Sequence, residues 1–253
     1  MSIEDLCPPE RPDLRILESV DSTNAEALRW ASAGAPDGAC VLADQQVAGR
    51  GRAGRCWHSP PGRNVYLSMV MRPDVGATLS LVPLFGAVAT REAVSRSLPS
   101  GPVPKIKWPN DVLIADRKVA GVLAEVAQTR CVVLGIGINV NMEPCEFPEG
   151  LRRPAASLCM FSRVLLERRE VLARLLDSLD AWRPRLARQP EQLVEALERD
   201  CISLGRRVRV SPVRGQPWIG RAIRIAADGV LEVEDARGRP VRIEAGDVDP
   251  LDE

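Results

Sequence analysis

The sequence predicts an α+β protein: a mixed β-sheet flanked by helices, followed by a small antiparallel β-barrel. Three observations predict it. Apolar runs of strand length, such as Ala39–Ala43, Asn64–Met71 and Cys131–Val140, are separated by stretches with helical spacing. Two further runs, Val112–Ala115 and Val119–Val126, follow each other across a turn at Asp116–Arg117, as an antiparallel hairpin does. From Leu204 the texture changes. V-R-V-S-P, W-I-G-R-A-I-R-I, G-V-L-E-V-E-D and P-V-R-I-E alternate apolar and polar residues at period two, with turn signals at Arg214-Gly215, Asp228-Gly229 and Arg237-Gly238.

Taken in order, residues 1–13 carry Pro8, Pro9 and Pro12 and read as a flexible tail. A first domain over 14–203 opens with a strand at Arg15–Val20. Thr23 with Glu26 three residues later fits a capping box, so a helix starts there with Leu28 and Ala31 inward. Ala39–Ala43 is a strand leading into a Gly/Arg loop, and Asn64–Met71 leaves it. Residues 78–98 are helix-like, with Pro83 near the start, where proline is tolerated. Lys105–Trp108 is a strand broken at Pro109. Cys131–Val140 reads as a buried strand in which Gly135 and Gly137 mark close approach of a neighbour. A Pro-rich crossing over 143–161 precedes a helix over Arg163–Arg183, with Val164, Leu172, Leu176 and Trp182 among its inward residues. A shorter helix covers Pro190–Asp200. The barrel, of about five strands, takes 204–253.

Of the 253 residues 45% are apolar, enough for a sizeable core. Lys plus Arg and Asp plus Glu are 34 each, so nothing at whole-chain scale attracts nucleic acid or a membrane surface. The seven cysteines include no C-x-x-C pair and are joined by a single histidine, which excludes a zinc pattern. No signal peptide or membrane-length apolar run is present. A protein of the reducing cytoplasm is expected.

The stretch Asp44–Trp57, D-Q-Q-V-A-G-R-G-R-A-G-R-C-W, is the chemical centre. Gly49, Gly51 and Gly54 alternate with Arg50, Arg52 and Arg55. Glycine frees the backbone and lets a ligand approach it; arginine adds a permanent charge and a fork suited to carboxylate and phosphate. The pattern describes a mobile cationic loop that closes over an anion. An RNA-binding arginine–glycine tract is the alternative, but such tracts repeat, and this block occurs once between apolar runs.

Other polar residues collect at strand ends: Lys107, Asn110 and Asp111 in K-W-P-N-D, Lys118 in D-R-K-V-A-G, and Asn139 in G-I-G-I-N-V. Each alone is an ordinary turn former. Two lysines beside Pro- and Gly-marked turns, next to the loop, suggest a shared anion site. Ser22, Thr23 and Asn24 read locally as helix capping.

G-R-G-R-x-G-R-x-W (49–57), K-W-P-N-D (107–111), R-K-V-A-G (117–121), D-S-T-N (21–24) and G-x-G-x-N (135–139) together resemble the biotin protein ligases, in that family's order and over residues 15–253. The resemblance implies the class II synthetase-like fold of the biotin and lipoate ligases, with an SH3-like C-terminal barrel. It also implies an ATP-dependent ligase that makes biotinyl-5′-AMP and passes the biotinyl group to a lysine of a biotin carboxyl carrier protein, in bacteria the carrier subunit of acetyl-CoA carboxylase. By the same resemblance Ser22, Thr23, Asn24, Gln46, Gly49, Arg50, Gly51, Arg52, Lys118 and Gly121 contact biotin. Arg52, Arg55, Lys107, Asn110, Asp111 and Asn139 form the ATP side. Arg52 and Lys118 are the catalytic choices, and Asp111 is a ligand for Mg2+. Trp57 packs against the ligand, hinges the loop or fills the core. His58, the sole histidine, adjoins the motif without being required by it.

The chain departs from the family pattern at two points. Ala53 stands where relatives often carry a basic residue. Only about a dozen residues precede the first strand, too few for a winged helix-turn-helix, so no repressor function and no nucleic-acid partner are expected. Some relatives dimerise through a sheet edge, which leaves a homodimer as an option. A lipoate or octanoate ligase of the same fold, and a non-catalytic biotin- or nucleic-acid-binding protein, are the alternative functions.

Overall fold

The computed structural model describes residues 11, 13–73, 79–127 and 131–251; most of the expected tail, residues 1–10 and 12, lies outside them. Seven strands form the main sheet: β1 (Leu14–Val20), β2 (Cys40–Gln46), β3 (Val65–Met71), β4 (Lys105–Lys107), β5 (Asp111–Ile114), β6 (Arg117–Val126) and β7 (Val132–Ile138). Their order is β1-β2-β3-β7-β6-β5-β4. Only β1 and β2 run parallel; the other neighbours are antiparallel, so the sheet is mixed.

Helix α1 (Thr23–Ser32) covers one face of this sheet. Helices α2 (Leu81–Ser97), α4 (Arg168–Arg188) and α5 (Pro190–Asp200) pack together over the other, and a one-turn α3 (Cys159–Ser162) precedes α4. Strand β3 is therefore buried along its whole length, and its residues divide by parity. Leu67, Met69 and Met71 join the large core beneath α2 and α4. Val70 joins a smaller cluster with Ala27 and Ala31 of α1. In β7 the same alternation sends Leu134, Ile136 and Ile138 to the large core. Gly135 and Gly137, one residue out of step, fall on the α1 side.

Three local readings are corrected. The capping box does not form: Ser22 is the N-cap with no side-chain cap bond, and Glu26 pairs with Arg29 at 2.8 Å and Arg15 at 3.2 Å instead. The helix expected from Arg163 begins at Arg168, because Arg163 ends α3 in the left-handed region with φ 61°. Val164, expected inward, is 64% exposed in the link that follows. Helix α4 also continues through Pro184 to Arg188. The β5–β6 turn sits one residue earlier than its spacing suggested: Ala115 and Asp116 take φ 46° and 58°, as a two-residue primed turn requires.

The C-terminal strands are β8 (Arg207–Pro212), β9 (Trp218–Ile225), β10 (Leu231–Glu234), β11 (Pro240–Ile243) and β12 (Gly246–Pro250). They pair antiparallel in the order β11-β10-β9-β8-β12, an SH3-like arrangement whose ladder stays open between β11 and β12. Val208, Val210, Leu231 and Val248 join the core that begins under α2. Trp108 donates its Nε1 to the Gly229 carbonyl at 3.1 Å, and a Cβ at Gly229 would meet Leu84 at 2.4 Å. The barrel is thus fixed against the first sheet at a position that lets β12 reach the site. Among the described residues no helix is long and apolar enough to cross a membrane.

Candidate active site

One cleft of about 210 Å3 opens on the α1 side of the main sheet. Its floor is peptide backbone. Gly121 of β6 pairs with Gly137 of β7, and Gly135 lies two residues further along β7. A Cβ at Gly137 would meet the Trp57 ring at 2.5 Å, and one at Gly135 would meet Asn24 Oδ1 at 2.0 Å. These glycines are required by what lies on them, as the close-approach reading expected.

The inner end of the cleft is polar, and its one carboxylate, Glu125, is paired with Arg50. Gln46 Oε1 accepts from Thr23 N at 2.8 Å and Thr23 Oγ1 at 3.0 Å, and Gln46 Nε2 donates to Ser59 Oγ at 2.9 Å. Asn24 Nδ2 donates to Glu125 at 2.7 Å. Ser68 Oγ lies 2.6 Å from Asn24 Oδ1 and 2.8 Å from Thr23 Oγ1. Ser22, Thr23, Asn24 and Ser68 are all buried. Residues that looked like helix capping thus point into a pocket and form a matched donor–acceptor set. Leu123, Ile136, Met142, Phe147 and Leu151 give the cleft an apolar wall.

The outer end is cationic. The Gly/Arg loop folds into a short hairpin, with Arg50 bridged to Cys56, the Gly51 N–H donating to Arg55 O at 2.7 Å and the Trp57 N–H to Gly49 O at 2.9 Å. Its tip, Arg52–Gly54, is a 3-10 turn in which Ala53 takes φ 54°. Arg52 donates to Asn110 Oδ1 at 2.8 Å and to the Gly246 carbonyl at 2.7 Å. Arg50 pairs with Glu125 at 3.1 Å, and Lys118 Nζ with Asp111 at 2.6 Å. That ammonium also lies 5.2 Å from the centroid of a Trp57 ring, within cation–π range. The Trp57 Nε1 is buried without a hydrogen-bond partner among the described residues.

Strand β12 closes this end with two carboxylates. Asp247 pairs with Arg55 at 3.1 Å and also holds Arg152. Asp249 pairs with Lys107 at 3.0 Å and Arg153 at 3.3 Å, and also holds Arg152. Burial alone would raise both carboxyl pKa values. At Asp247 the arginines 55, 152 and 52 outweigh it, and at Asp249 Lys107 with Arg152 and Arg153 does, so both stay below the usual carboxylate range. Burial pulls the Arg52 guanidinium down while Asp247 and Asp111 pull it back up; it remains a cation.

Of the expected site residues, Ser22, Thr23, Asn24, Gln46, Arg50, Gly51, Arg52, Arg55, Lys107, Asn110, Asp111, Lys118, Gly121 and Asn139 all line the cleft. Gly49 does not. It is buried beneath the hairpin, where a Cβ would meet the Trp57 carbonyl at 2.4 Å. Two expected ligands are partly committed to the fold: Asn110 Nδ2 donates to Val122 O at 2.7 Å and Asn139 Nδ2 to Ala156 O at 3.1 Å. His58 is exposed at the rim. Ser68, Glu125, Arg152, Arg153, Asp247 and Asp249 belong to the site and were not singled out from sequence.

Residues 16–141 match the biotin/lipoate A/B protein ligase family. The chain is 36% identical over 239 residues to the biotin–[acetyl-CoA-carboxylase] ligase of Mycobacterium tuberculosis, covering 93% of this chain and 88% of that one. It is 34% identical over 227 residues to the bifunctional ligase/repressor BirA of Bacillus subtilis, covering 87% of this chain and 68% of that one. Its fold is similar to that of biotin protein ligase from Aquifex aeolicus in complex with biotin and ATP, with a TM-score of 0.83 at 27% identity, covering 96% of this chain and 100% of that one. On this similarity of sequence and fold, the chain belongs to the biotin/lipoate A/B protein ligase family.

Proposed function

We propose that this chain ligates biotin to a lysine of a biotin carboxyl carrier protein, at the expense of ATP and through biotinyl-5′-AMP. One observation carries the reading. A buried pocket of hydrogen-bonding side chains for a rigid polar ring adjoins, across an apolar wall, a cluster of five cations: Arg52, Arg55, Lys107, Arg152 and Arg153.

In the first step a biotin carboxylate oxygen bonds to the α-phosphorus and pyrophosphate leaves. Two anions must meet, and the cations offset their repulsion and the charge that develops on phosphorus. Thr23, Asn24 and Gln46 present the donors and acceptors that a ureido ring needs. Arg50, Arg52 and Lys118 lie where the carboxylate and α-phosphate converge, and Arg52 acts as the electrostatic catalyst. In the second step the acceptor lysine nitrogen bonds to the activated carbonyl carbon, AMP leaves, and the amine loses a proton. The closed hairpin keeps water from the same carbonyl.

Magnesium fits here as an ion carried by the phosphates. Among the described residues no three His, Cys, Asp or Glu side chains cluster as a metal site. Asp111, paired with Lys118 at 2.6 Å, can offer a single carboxylate, which suits an ion that keeps most of its ligands as water and phosphate. When bound, it would neutralise phosphate charge.

The acceptor we infer is the carrier subunit of acetyl-CoA carboxylase, met in the cytoplasm. The free cysteines among the described residues accord with a reducing compartment.

The test is pyrophosphate–ATP exchange with biotin or lipoate, followed by mass spectrometry of an apo carrier domain. Biotin-dependent exchange and a biotinyl mass on one carrier lysine are expected. Exchange with lipoate alone would overturn the assignment in favour of the lipoate ligases.

A further inference from the structure

Glu125 is not among the residues that line the cleft, yet it holds two that are. It stands on β6 beyond Gly121 and Leu123, in step with both, so by parity its side chain lies with theirs on the α1 side of the sheet. Its two oxygens serve different parts of the site. Oε2 accepts from Asn24 Nδ2 at 2.7 Å, at the start of α1, and Oε1 accepts from Arg50 Nη1 at 3.1 Å, in the hairpin. The adenylation chemistry itself gives Glu125 nothing to do.

The first contact decides which way the Asn24 amide points. Asn24 Nδ2 carries two hydrogens, and both are committed on one side, one to Glu125 and one to the Leu123 carbonyl at 3.4 Å. Turning the amide over would set its oxygen against a carboxylate and a carbonyl, neither of which can donate. The oxygen therefore faces the other way, towards Ser68 Oγ, which donates to it at 2.6 Å. It also overlies the cleft floor, since a Cβ at Gly135 would meet it at 2.0 Å. A carbonyl oxygen accepts twice. With one lone pair taken by Ser68, Asn24 offers the cleft a single acceptor and no donor.

We infer that Glu125 is a positioning residue for the substrate's ring: by locking the Asn24 amide, it makes that side chain an acceptor for a ring N–H and closes it to a ring carbonyl. The inference rests on the ligase reading above, which supplies a ureido ring bearing both groups. Only a carboxylate meets the requirement, because it must accept on two sides at once. A glutamine in its place has one acceptor atom for two donors. Its amide nitrogen is repelled by the Arg50 cation, so it would face Asn24, turn that amide over and put a donor where the ring N–H arrives.

The test is calorimetric titration of the whole protein with biotin, alongside biotin-dependent pyrophosphate exchange. In Glu125→Gln the Kd for biotin should rise about tenfold, as reversing one buried hydrogen bond implies, while kcat at saturating biotin changes far less. Asn24→Asp alone sets two carboxylates face to face and should also weaken binding. In the double variant the new amide donates to the new carboxylate, which again presents an oxygen to the ring. Biotin should therefore bind the double variant more tightly than either single variant, a recovery that loss of packing alone does not produce. A wild-type Kd in Glu125→Gln overturns the inference. So does a double variant that binds no more tightly than the single variants. Where Glu125→Gln does not fold, the double variant is compared with Asn24→Asp and the same recovery is required. Absence of biotin binding by the unaltered protein would sink the ligase reading, and this inference with it.

Discussion

The guanidinium of Arg52 donates to the Gly246 carbonyl at 2.7 Å. This single contact joins a loop that follows β2 to the last strand of the barrel. The same side chain donates to Asn110 Oδ1 at 2.8 Å. Arg52 thus holds three parts of the chain around the cleft while keeping its charge at the centre of the cation cluster.

Replacing Arg52 with alanine should slow biotin-dependent pyrophosphate exchange about a hundredfold or more, the usual cost of removing a preorganised electrostatic group. The fold should survive, with an unchanged far-UV spectrum. A normal exchange rate in the purified variant would remove Arg52 from the chemistry.

The hairpin at 50–56 is held by few backbone bonds and several exposed ion pairs, so it should open readily without ligand. Biotin plus ATP should slow amide exchange there, and in Arg52→Ala the slowing should be smaller. Equal exchange with and without ligands would contradict the closing-loop mechanism.

The clamp between loop and barrel should fail in acid. Asp247 has a folded pKa below its unfolded value of about 3.9. Its contribution is therefore complete above that value and is lost as pH falls through the folded pKa. Asp249 behaves in the same sense. Tryptophan emission followed from pH 7 to pH 2 should report loop release only below about pH 4. In a variant carrying Asp247→Asn and Asp249→Asn the loop should be loose at neutral pH, and that acid step should be missing.

Gly137→Ala tests the bare floor of the cleft. Its Cβ would meet Trp57 at 2.5 Å, so the indole must leave its seat, at a cost of about 1–3 kcal/mol in stability. The KM for biotin should rise. A variant with wild-type biotin KM would mean that Trp57 does not shape the pocket.

Ser68→Ala should cost about 1 kcal/mol in stability, because Thr23 and Asn24 lose a buried partner. Biotin KM should rise while kcat changes little. A loss confined to kcat would assign Ser68 a different role.

Much of this site was legible because its chemistry is concentrated in short segments. Glycine and arginine alternating at 49–55 can serve few purposes, and Lys107 and Lys118 flank turns that the sequence marks with Pro109 and Gly121. The glycines of β7 were legible for the same reason: a strand interior without side chains needs a neighbour that fills the space. Asp247 and Asp249 were not. In G-D-V-D-P they alternate with a valine, as solvated residues on any barrel strand do, and only the docking of the barrel brings them to Lys107 and Arg55. Ser68 was hidden likewise, since one hydroxyl in an apolar strand gives no hint of Thr23 and Asn24 above it. The misplaced start of α4 has a local cause. Arg163 takes a left-handed conformation that its residue type does not advertise, and the apolar pattern ran on across it.

The placement of β12 has a consequence for synthesis. A ribosome makes Arg52, Arg55, Lys107, Arg152 and Arg153 before it makes Asp247 and Asp249, the acids that separate them. Until that strand emerges, the positive groups repel one another and the hairpin, though held by Glu125 and Asn110, lacks its latch on the barrel. A prematurely terminated chain should therefore hold the hairpin less firmly and lose a reactive mixed anhydride to water sooner than the full chain does.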